Sequence, residues 1–185
     1  MNVLLLYRNS SCVIIGRNQN PWIEANMNTV YNKSINNSNE LQIPLIRRKS
    51  GGGTVYHDLG NTNYCVMMPR SEFKRSTSVT MVSQALEQLD IPASVNSRYD
   101  IVIGDKKISG SAYKIANNKS YHHGTMLIDT DLKVLGDALK PIVSCSLVTC
   151  RHHKLSQKEL GVSDHQLLDF GNIRLRLIIR HFARL

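Results

Sequence analysis

The sequence lacks long apolar runs, internal repeats and regularly spaced cysteines. No stretch approaches the roughly 18 consecutive apolar residues of a transmembrane helix. The first apolar run, residues 3–7, has no basic segment before it and predicts a strand instead of a signal peptide. Cys145 and Cys150 precede His152 and His153 at a spacing that fits no usual structural zinc site, so metal binding is not expected there. The four cysteines show no paired spacing, which favours a reducing compartment. They are Cys12, Cys65, Cys145 and Cys150.

Aromatic and acidic residues are also scarce. Aromatic residues make up 6% of the 185 residues. The chain has 14 Asp and Glu but 23 Lys and Arg, which gives a formal net charge of +9 at pH 7. A positive chain attracts anionic partners over long distances, but charge alone does not choose among nucleic acid, a nucleotide, a carboxylic acid and an acidic protein domain. The hydrophobic content of 42% is ordinary for one globular domain with its own core.

The periodicity of the apolar residues predicts a mixed α/β domain. The expected elements are strands at 3–7, 12–16, 43–46, 63–68 and 121–129, a hairpin over 100–111, and helices at 78–89 and 132–139. The capping-box pair Ser163 and Gln166 predicts a terminal helix. The asparagine-rich segment 32–42 predicts a surface insertion.

One further helix is expected to begin at Asn20, whose side chain can cap it, with Pro21 in the first helical position. Trp22 is expected to be a packing anchor and not a ligand contact. Four apolar residues then recur at helical spacing and predict one face packed in the core: Ile23, Met27, Val30 and Tyr31.

Three consecutive glycines, Gly51, Gly52 and Gly53, follow a pair of arginines. Glycine lets the backbone approach a ligand closely and adopt positive φ, so the N–H groups of such a loop can form a concavity for an anion. Arg48 can add a planar guanidinium group for a phosphate or carboxylate. A plain glycine turn flanked by solvated arginines is the alternative. The spacing matches neither the P-loop nor the dinucleotide-binding fingerprint.

The longer string around these glycines resembles the signature of the lipoate–protein ligase A and lipoyltransferase family. It runs Arg47-Arg48-Lys49-Ser50-Gly51-Gly52-Gly53-Thr54-Val55-Tyr56-His57-Asp58-Leu59-Gly60-Asn61. Two further stretches match in the family's order, namely Ile14-Ile15-Gly16-Arg17-Asn18-Gln19-Asn20-Pro21-Trp22, and Asp105-Lys106-Lys107-Ile108-Ser109-Gly110-Ser111-Ala112-Tyr113-Lys114 followed by His122-His123-Gly124-Thr125. Each is long and non-degenerate, so the sequence is identified by resemblance as a member of this family.

The resemblance implies the fold shared by biotin and lipoate ligases, an α/β (α+β) architecture of mixed sheets packed with helices. We expect one catalytic domain over residues 1–185, with a strong match over 3–140 and a divergent tail over 141–185. Relatives usually carry a strand and a helix before the position of Met1, and bacterial-type ligases carry a C-terminal accessory domain. The chain is therefore expected to be truncated at its N-terminus and to lack that domain, which leaves an inert binding module as one alternative.

The activity implied by the resemblance uses ATP and Mg²⁺ to activate lipoate as lipoyl-AMP. The lipoyl group then passes to a lysine of lipoyl domains, those of 2-oxoacid dehydrogenase E2 subunits and of the glycine-cleavage H protein. A lipoyltransferase that uses preformed lipoyl-AMP is the second alternative. The protein is expected to be a monomer without nucleic-acid or membrane partners. It is expected in the mitochondrion if eukaryotic, which the asparagine-rich insertion and Tyr121-His122-His123 favour, and in the cytoplasm if bacterial.

Lys107 matches the family lysine that precedes Ile-Ser-Gly, and it is implied to be the catalytic cation that contacts both the lipoyl carbonyl and the phosphate. Strand alternation places Lys107 on the opposite face from Lys106 and Ile108, so only one of the two lysines can point into a ligand cleft. The alternative for any strand lysine is simple solvation. Asp100 matches an acidic position implicated with Mg²⁺, which needs only one or two carboxylates when phosphate oxygens are present.

The remaining implied site residues are expected around the same cleft, with Ser109 and Gly110 shaping the turn beside Lys107 and with His123, Gly124 and Thr125 lining the cleft. Arg48 matches an arginine that contacts ATP. His57 is expected on the lipoyl side of the site, with a core or hairpin histidine as the alternative. The other implied binding residues all lie within the matching motifs: Gly51, Gly52, Gly53, Thr54, Val55, Tyr56, Ser109, Gly110, His123, Gly124 and Thr125.

Overall fold

The computed structural model describes residues 2–32 and 43–139, in which short helices cover three β-sheets. Its strands and helices follow one another as β1 (Val3–Tyr7), β2 (Cys12–Ile15), α1 (Pro21–Glu24), α2 (Met27–Asn32), β3 (Leu45–Arg47), β4 (Val55–His57), β5 (Asn61–Pro69), a 3₁₀ turn (Arg70–Glu72), α3 (Arg75–Glu87), β6 (Ser94–Val95), β7 (Ile101–Ile103), β8 (Lys106–Ser109), β9 (Ser111–Ala116), β10 (Lys119–Leu127) and α4 (Leu132–Leu139). The prediction of a mixed α+β fold is confirmed.

The largest sheet has the strand order β1-β5-β10-β9, and all of its neighbouring strands are antiparallel. Its register places His123 of β10 opposite Ala112 of β9 and Cys65 of β5. A second sheet has the order β3-β2-β4, with β3 parallel and β4 antiparallel to β2. The third sheet, β6-β7-β8, contains the predicted hairpin.

Helix α3 packs against one face of the largest sheet and forms the first core with it. Alternation along β1 turns Leu4 and Leu6 toward this core, while Val3 and Leu5 on the other face are exposed. Burial of such aliphatic side chains stabilises the fold by about 1.5–3 kcal/mol each. The buried members of the first core are Tyr64, Val79, Val82, Ala85, Leu86, Ile91, Ala93, Ile101, Ile108, Met126 and Ile128.

A second core lies between the sheet β3-β2-β4 and the helices α2 and α4. Its buried members are Val13, Ile15, Ala25, Met27, Val30, Ile43, Tyr56, Leu135 and Ala138. Because Tyr56 occupies this core, alternation along β4 turns Val55 and His57 to the opposite face of the strand.

The helix expected after Asn20 is shorter than predicted. The Asn20 side chain accepts a hydrogen bond from the Trp22 backbone N–H, which confirms the cap, but the helix stops at Ala25 because that residue is extended (φ −130°, ψ 150°). Asn26 then begins a new helix by accepting the Thr29 N–H through its side chain. Trp22 is 65% exposed, so the prediction that it anchors the core is wrong. Ile23 is 38% exposed and likewise lies outside the predicted buried face.

Several predictions fall outside the described residues. These concern the insertion, the terminal helix with Ser163 and Gln166, and the segment with Cys145, Cys150, His152 and His153. Within the described part of the chain, Cys12 and Cys65 are free thiols. No helix in that part is long and apolar enough to cross a membrane.

Candidate functional site

The glycine loop, residues 48–54, is held in shape by Arg48. Its Nε and Nη2 atoms donate to the Gly51 carbonyl oxygen at 3.2 and 2.8 Å, and Nη2 also donates to the Gly53 carbonyl oxygen at 2.7 Å. Nη1 donates to the Ile14 carbonyl oxygen at 3.2 Å, which ties the loop to β2. The guanidinium group predicted to grip a phosphate therefore forms several hydrogen bonds with the backbone of its own loop.

Gly16, from the first matching motif, lies directly against this loop. A Cβ atom at Gly16 would overlap the carbonyl oxygen of Gly52, so the contact requires glycine there. Gly52 itself has φ +91°, a conformation that side chains other than glycine rarely adopt. Arg47, which the sequence did not single out, secures the same turn: its Nη1 donates to the carbonyl oxygens of Gly16, Arg17 and Gln19 at 2.7–3.1 Å.

The loop also contacts the largest sheet through Ser50 and His123. The Ser50 hydroxyl lies 2.6 Å from His123 Nε2, and Ser50 is 1% exposed. Burial, with the Arg48 charge nearby, lowers the pKa of His123 to about 4, so the imidazole is neutral at pH 7. The structure thus places His123, which was expected to line the Lys107 cleft, beside the glycine loop, and its partner Ser50 was not singled out from the sequence.

Glu24 at the end of α1 is a further unpredicted neighbour of the loop. Thr54 Oγ1 donates to Glu24 Oε2 at 3.3 Å. A Cβ atom at Gly53 would lie 3.8 Å from the same carboxylate oxygen. The Asn20 cap followed by Pro-Trp-Ile-Glu predicts the short helix that ends at Glu24, but the contact of Glu24 with Thr54 depends on the tertiary packing.

β4 divides its predicted site residues between two environments. The Tyr56 side chain belongs to the second core, where its hydroxyl donates to Ser11 Oγ at 3.2 Å, so it does not line the site. His57 is 4% exposed, and its Nδ1 lies 2.9 Å from Asn9 Nδ2. Burial and the charge of Arg48 lower the pKa of His57 to about 4, which places this imidazole on the Arg48 side of the strand in its neutral form.

Lys107 lies on the hairpin β7–β8, and its Nζ forms an ion pair of 3.0 Å with Asp100 Oδ1. The adjacent Ile108 is buried in the first core, so the predicted opposition of these two side chains is confirmed. Gly104 makes the hairpin turn with φ +60°. Beside the ion pair is a cleft of about 220 Å³, lined by Asn96, Ser97, Arg98, Asp100, Val102, Asp105 and Lys107.

Gly110 adjoins Lys107 and is hydrogen-bonded to Thr125. The Thr125 N–H donates to the Gly110 carbonyl oxygen at 2.9 Å, and a Cβ atom at Gly110 would lie 3.1 Å from Lys107 Cε. Glycine at this position therefore leaves room for the lysine side chain. Thr125 and His123 are two residues apart on β10 and share a face, so this strand joins the hairpin to the glycine loop.

Ser109, expected to shape the turn beside Lys107, and Gly124, expected to line the cleft, both contact Tyr64 of the first core. Ser109 is 1% exposed, and its hydroxyl lies 3.4 Å from that of Tyr64. The ring of Tyr64 lies over Gly124, where any Cβ atom would overlap it. Burial raises the pKa of Tyr64 to about 12, which keeps this hydroxyl protonated.

The described residues contain no cluster of three or more His, Cys, Asp or Glu side chains that could hold a metal ion by itself. Asp100, the predicted magnesium ligand, lines the cleft beside Lys107, and Asp105 is a second carboxylate in the same lining. Since Mg²⁺ bound with a nucleotide takes one or two protein carboxylates, a single aspartate fits this chemistry. The arrangement thus contains a backbone loop suited to an anion, with the neutral imidazoles of His57 and His123 on its Arg48 side, and a separate hairpin that carries Lys107 and is linked to the loop through β10.

Comparison with known proteins identifies relatives of this arrangement. The family model described as the lipoyl protein ligase A/B catalytic domain matches residues 1–157. A Schizosaccharomyces pombe protein predicted to be a lipoate-protein ligase A is 51% identical over 139 residues, which cover 74% of this chain and 36% of that protein. Lipoate-protein ligase A of Psychrobacter cryohalolentis is 43% identical over 140 residues, covering 76% of this chain and 39% of the relative. The chain thus spans about two fifths of the length of these curated relatives.

Solved structures share the fold. Lipoate-protein ligase A bound with ATP is 26% identical with a TM-score of 0.72, covering 99% of this chain and 72% of that one. Plasmodium falciparum LipL1 in complex with lipoate is 28% identical with a TM-score of 0.68, covering 99% and 47%. A bipartite lipoate protein ligase of Thermoplasma acidophilum, described with its E2 lipoyl domain, is 26% identical with a TM-score of 0.72, covering 99% and 70%.

Proposed function

Because this chain belongs to the family of lipoyl protein ligase A/B catalytic domains, we propose that it acts as a lipoate–protein ligase. In this proposal residues 1–185 belong to one catalytic domain, which activates lipoate with ATP and transfers it to a lysine of a lipoyl domain. The names of the relatives support lipoate as the acid. The ATP-bound and lipoate-bound structures that resemble this chain support the two substrates.

In the first step a carboxylate oxygen of lipoate attacks the α-phosphorus of ATP, and the bond from that phosphorus to the leaving pyrophosphate breaks. Negative charge accumulates on the phosphoryl oxygens, so a fixed cation accelerates the step. We assign this part to Lys107, whose ammonium group lies at the cleft and is paired with the carboxylate of Asp100. The position of the Lys107 ammonium group at this cleft is the observation that carries the proposal.

In the second step the amine of the acceptor lysine attacks the carbonyl carbon of lipoyl-AMP. An amide forms, AMP leaves with the electrons of the broken C–O bond, and the amine loses a proton. Lys107 can polarise the carbonyl group in this step as well. The proposed acceptors are lipoyl domains, since a related ligase is described together with its E2 lipoyl domain.

The glycine loop would hold the phosphate of the nucleotide through its backbone N–H groups. Because the guanidinium group of Arg48 already donates to the carbonyl oxygens of Gly51 and Gly53, we propose that it contributes mainly by fixing the loop. Thr54, with its hydroxyl on Glu24, and the backbone of Val55 would continue this wall of the site. Asp100 would hold a Mg²⁺ ion delivered with ATP, whose charge would offset that of the leaving pyrophosphate.

A transferase that uses preformed lipoyl-AMP is the second candidate. The observation that favours it is the same ion pair, because an Asp100 carboxylate engaged by Lys107 is less available to a metal ion. Transfer from lipoyl-AMP requires no pyrophosphate site and no metal, whereas adenylation requires both.

Incubation of the protein with an apo lipoyl domain distinguishes these candidates. One reaction contains lipoate with Mg-ATP and the other contains lipoyl-AMP, and mass spectrometry of the acceptor measures lipoylation. A ligase modifies the acceptor in both reactions, and a transferase only in the second. Modification in neither would contradict both candidates and leave an inert binding module.

For the compartment we propose the mitochondrion. A eukaryotic relative that is 51% identical over 139 residues supports a eukaryotic source. Imaging the protein with its natural upstream coding sequence tests this location, and a uniform cytosolic signal would contradict it. The protein is proposed to act as a monomer, which size-exclusion chromatography with light scattering can measure.

A further inference from the structure

The buried contact between Asn9 and His57 determines which nitrogen of the imidazole carries a proton. Asn9 Nδ2 lies 2.9 Å from His57 Nδ1, and an amide nitrogen can only donate, so Nδ1 must accept. The pKa of His57 is lowered to about 4 by burial and by the Arg48 charge, so the ring is neutral at pH 7. A neutral ring that accepts at Nδ1 carries its proton on Nε2. Asn9 therefore fixes His57 as an Nε2–H donor.

That donor has no hydrogen-bond partner among the described residues, although only 4% of the His57 surface is exposed. Buried polar groups are almost always hydrogen-bonded, so an orphaned donor in a native structure calls for a ligand or another partner. Tyr56 packs into the second core, and alternation turns His57 to the face that Arg48 and His123 approach. This is the side on which Arg48 holds the glycine loop.

The groups whose charges act on His57 are Arg48 and His123, and neither is an acceptor carrying negative charge. His123 Nε2 already has Ser50 as its partner. Since no described residue supplies an oxygen for the Nε2–H of His57, this position is open to an oxygen of a ligand. An anionic oxygen suits this position best, because the neighbouring guanidinium group favours negative charge.

Building on the proposed function, we propose that Asn9 is a positioning residue that fixes the tautomer of His57, and that His57 Nε2–H donates a hydrogen bond to an oxygen of the bound substrate. That oxygen belongs to the lipoate carboxylate or to a phosphate of ATP, which share the chemistry of an anionic acceptor.

The tautomer can be measured without any ligand. Nitrogen-15 NMR of the wild-type protein should show His57 protonated on Nε2. In Asn9→Asp a carboxylate replaces the amide and can only accept, so Nδ1 should carry a proton, and at a pH high enough to keep the ring neutral Nε2 is left without one. A wild-type imidazole protonated on Nδ1 would overturn the inference.

Ligand binding tests the second part of the proposal, the hydrogen bond from His57 Nε2–H to the substrate. Calorimetric titrations of lipoate alone and of ATP alone are compared for wild type, Asn9→Asp and Asn28→Asp, an exposed asparagine that makes the same charge change. If His57 donates a charge-assisted hydrogen bond to one of the two ligands, Asn9→Asp should lower the affinity for that ligand by at least about tenfold. Unchanged affinity for both ligands would contradict the inference.

A double-mutant cycle separates the tautomer from the added charge. In a His57→Gln background the glutamine amide can donate without help from Asn9, so Asn9→Asp should have little further effect. An equal penalty in both backgrounds would mean that the new charge repels the ligand, and the inference would be wrong. If the wild-type protein binds neither lipoate nor ATP, the proposed function fails as well, whereas normal wild-type binding with no effect of Asn9→Asp removes only this inference.

Discussion

Arg48 and Lys107 are both cations that the family resemblance assigns to the nucleotide, yet the structure holds them in different ways. Arg48 donates to the backbone carbonyl oxygens of Ile14, Gly51 and Gly53 at 2.7–3.2 Å. Lys107 has a side-chain carboxylate as its partner, Asp100 at 3.0 Å, and both side chains keep 15–19% of their surface exposed. Backbone acceptors cannot be protonated or moved without rebuilding the loop, whereas a partly exposed ion pair can open when a ligand enters.

The difference suggests a division of labour. We propose that the glycine-loop region is a support, since its partly buried cation Arg48 donates to backbone carbonyl oxygens and His57 is buried beside it. The hairpin region supplies a charge that a substrate can take over from Asp100. Substitutions in the first region should therefore change stability, and those in the second should change the chemistry.

The largest effect is expected from Lys107→Ala. Loss of a fixed cation at a developing negative charge should lower lipoylation of an apo lipoyl domain by about a hundred- to a thousandfold, with little change in melting temperature. Lys106→Ala is the matched control and should be mild, because alternation turns the two lysines to opposite faces. Equal losses in the two variants would refute the strand-face argument.

Acidification should have the second largest effect, and it acts through His122 of β10, whose ring lies near that of Tyr64 in the first core. The folded-state pKa of His122 is about 4, below its ordinary 6.5, through burial and the nearby His123 and Arg75. Protonation is therefore resisted in the folded state, and stability present above pH 6.5 is lost as the pH falls toward 4. Since one pKa unit corresponds to about 1.4 kcal/mol, this histidine alone accounts for roughly 3 kcal/mol.

Urea denaturation between pH 7.5 and pH 4 measures this loss. Neither ring nitrogen of His122 has a described partner and the residue is fully buried, so His122→Phe should flatten part of the pH dependence. A slope that is the same in wild type and His122→Phe would show that carboxylates elsewhere cause the acid sensitivity.

Gly16→Ala is expected to have the third largest effect. The added methyl group would overlap the Gly52 carbonyl oxygen, so the loop must shift, at a cost of about 2 kcal/mol for overpacking. Gly136→Ala is the control: nothing lies within 4 Å of that position on α4, and alanine favours a helix, so stability should rise slightly. Thermal melting compares the two, and a Gly16→Ala protein as stable as wild type would show that the contact is not tight.

Asp100→Asn should have the smallest effect, and it tests the hairpin region, where Asp100 is the partner of Lys107. If Asp100 holds Mg²⁺, adenylation should require about tenfold more Mg²⁺ while transfer from lipoyl-AMP stays nearly unchanged, which corresponds to about 1.4 kcal/mol in the first step alone. Steady-state rates over a Mg²⁺ titration measure both. Equal losses in the two reactions would mean that Asp100 serves only to position Lys107.

Local patterns in the sequence determined much of the fold. The Asn20 cap, the hairpin around Gly104, α3 and α4 were predictable because capping, turn conformation and apolar periodicity act within a few residues. The motifs also indicated Arg48, Lys107 and the glycines as candidate site residues. Periodicity failed where α1 ended early and left Trp22 exposed, since an apolar repeat does not reveal a backbone break at Ala25.

Tertiary structure alone decided how the site is assembled. Glu24 meets Thr54 across 30 residues, Asn9 meets His57 across 48, and Ser50 meets His123 across 73. Such contacts depend on which strands become neighbours and in which register, and no local preference of the chain encodes them. The same holds for Gly16, whose lack of a side chain matters only because the Gly52 carbonyl oxygen is packed against it. The sequence determined which chemical groups the site would contain, and the packing of the sheets decided which of them could touch.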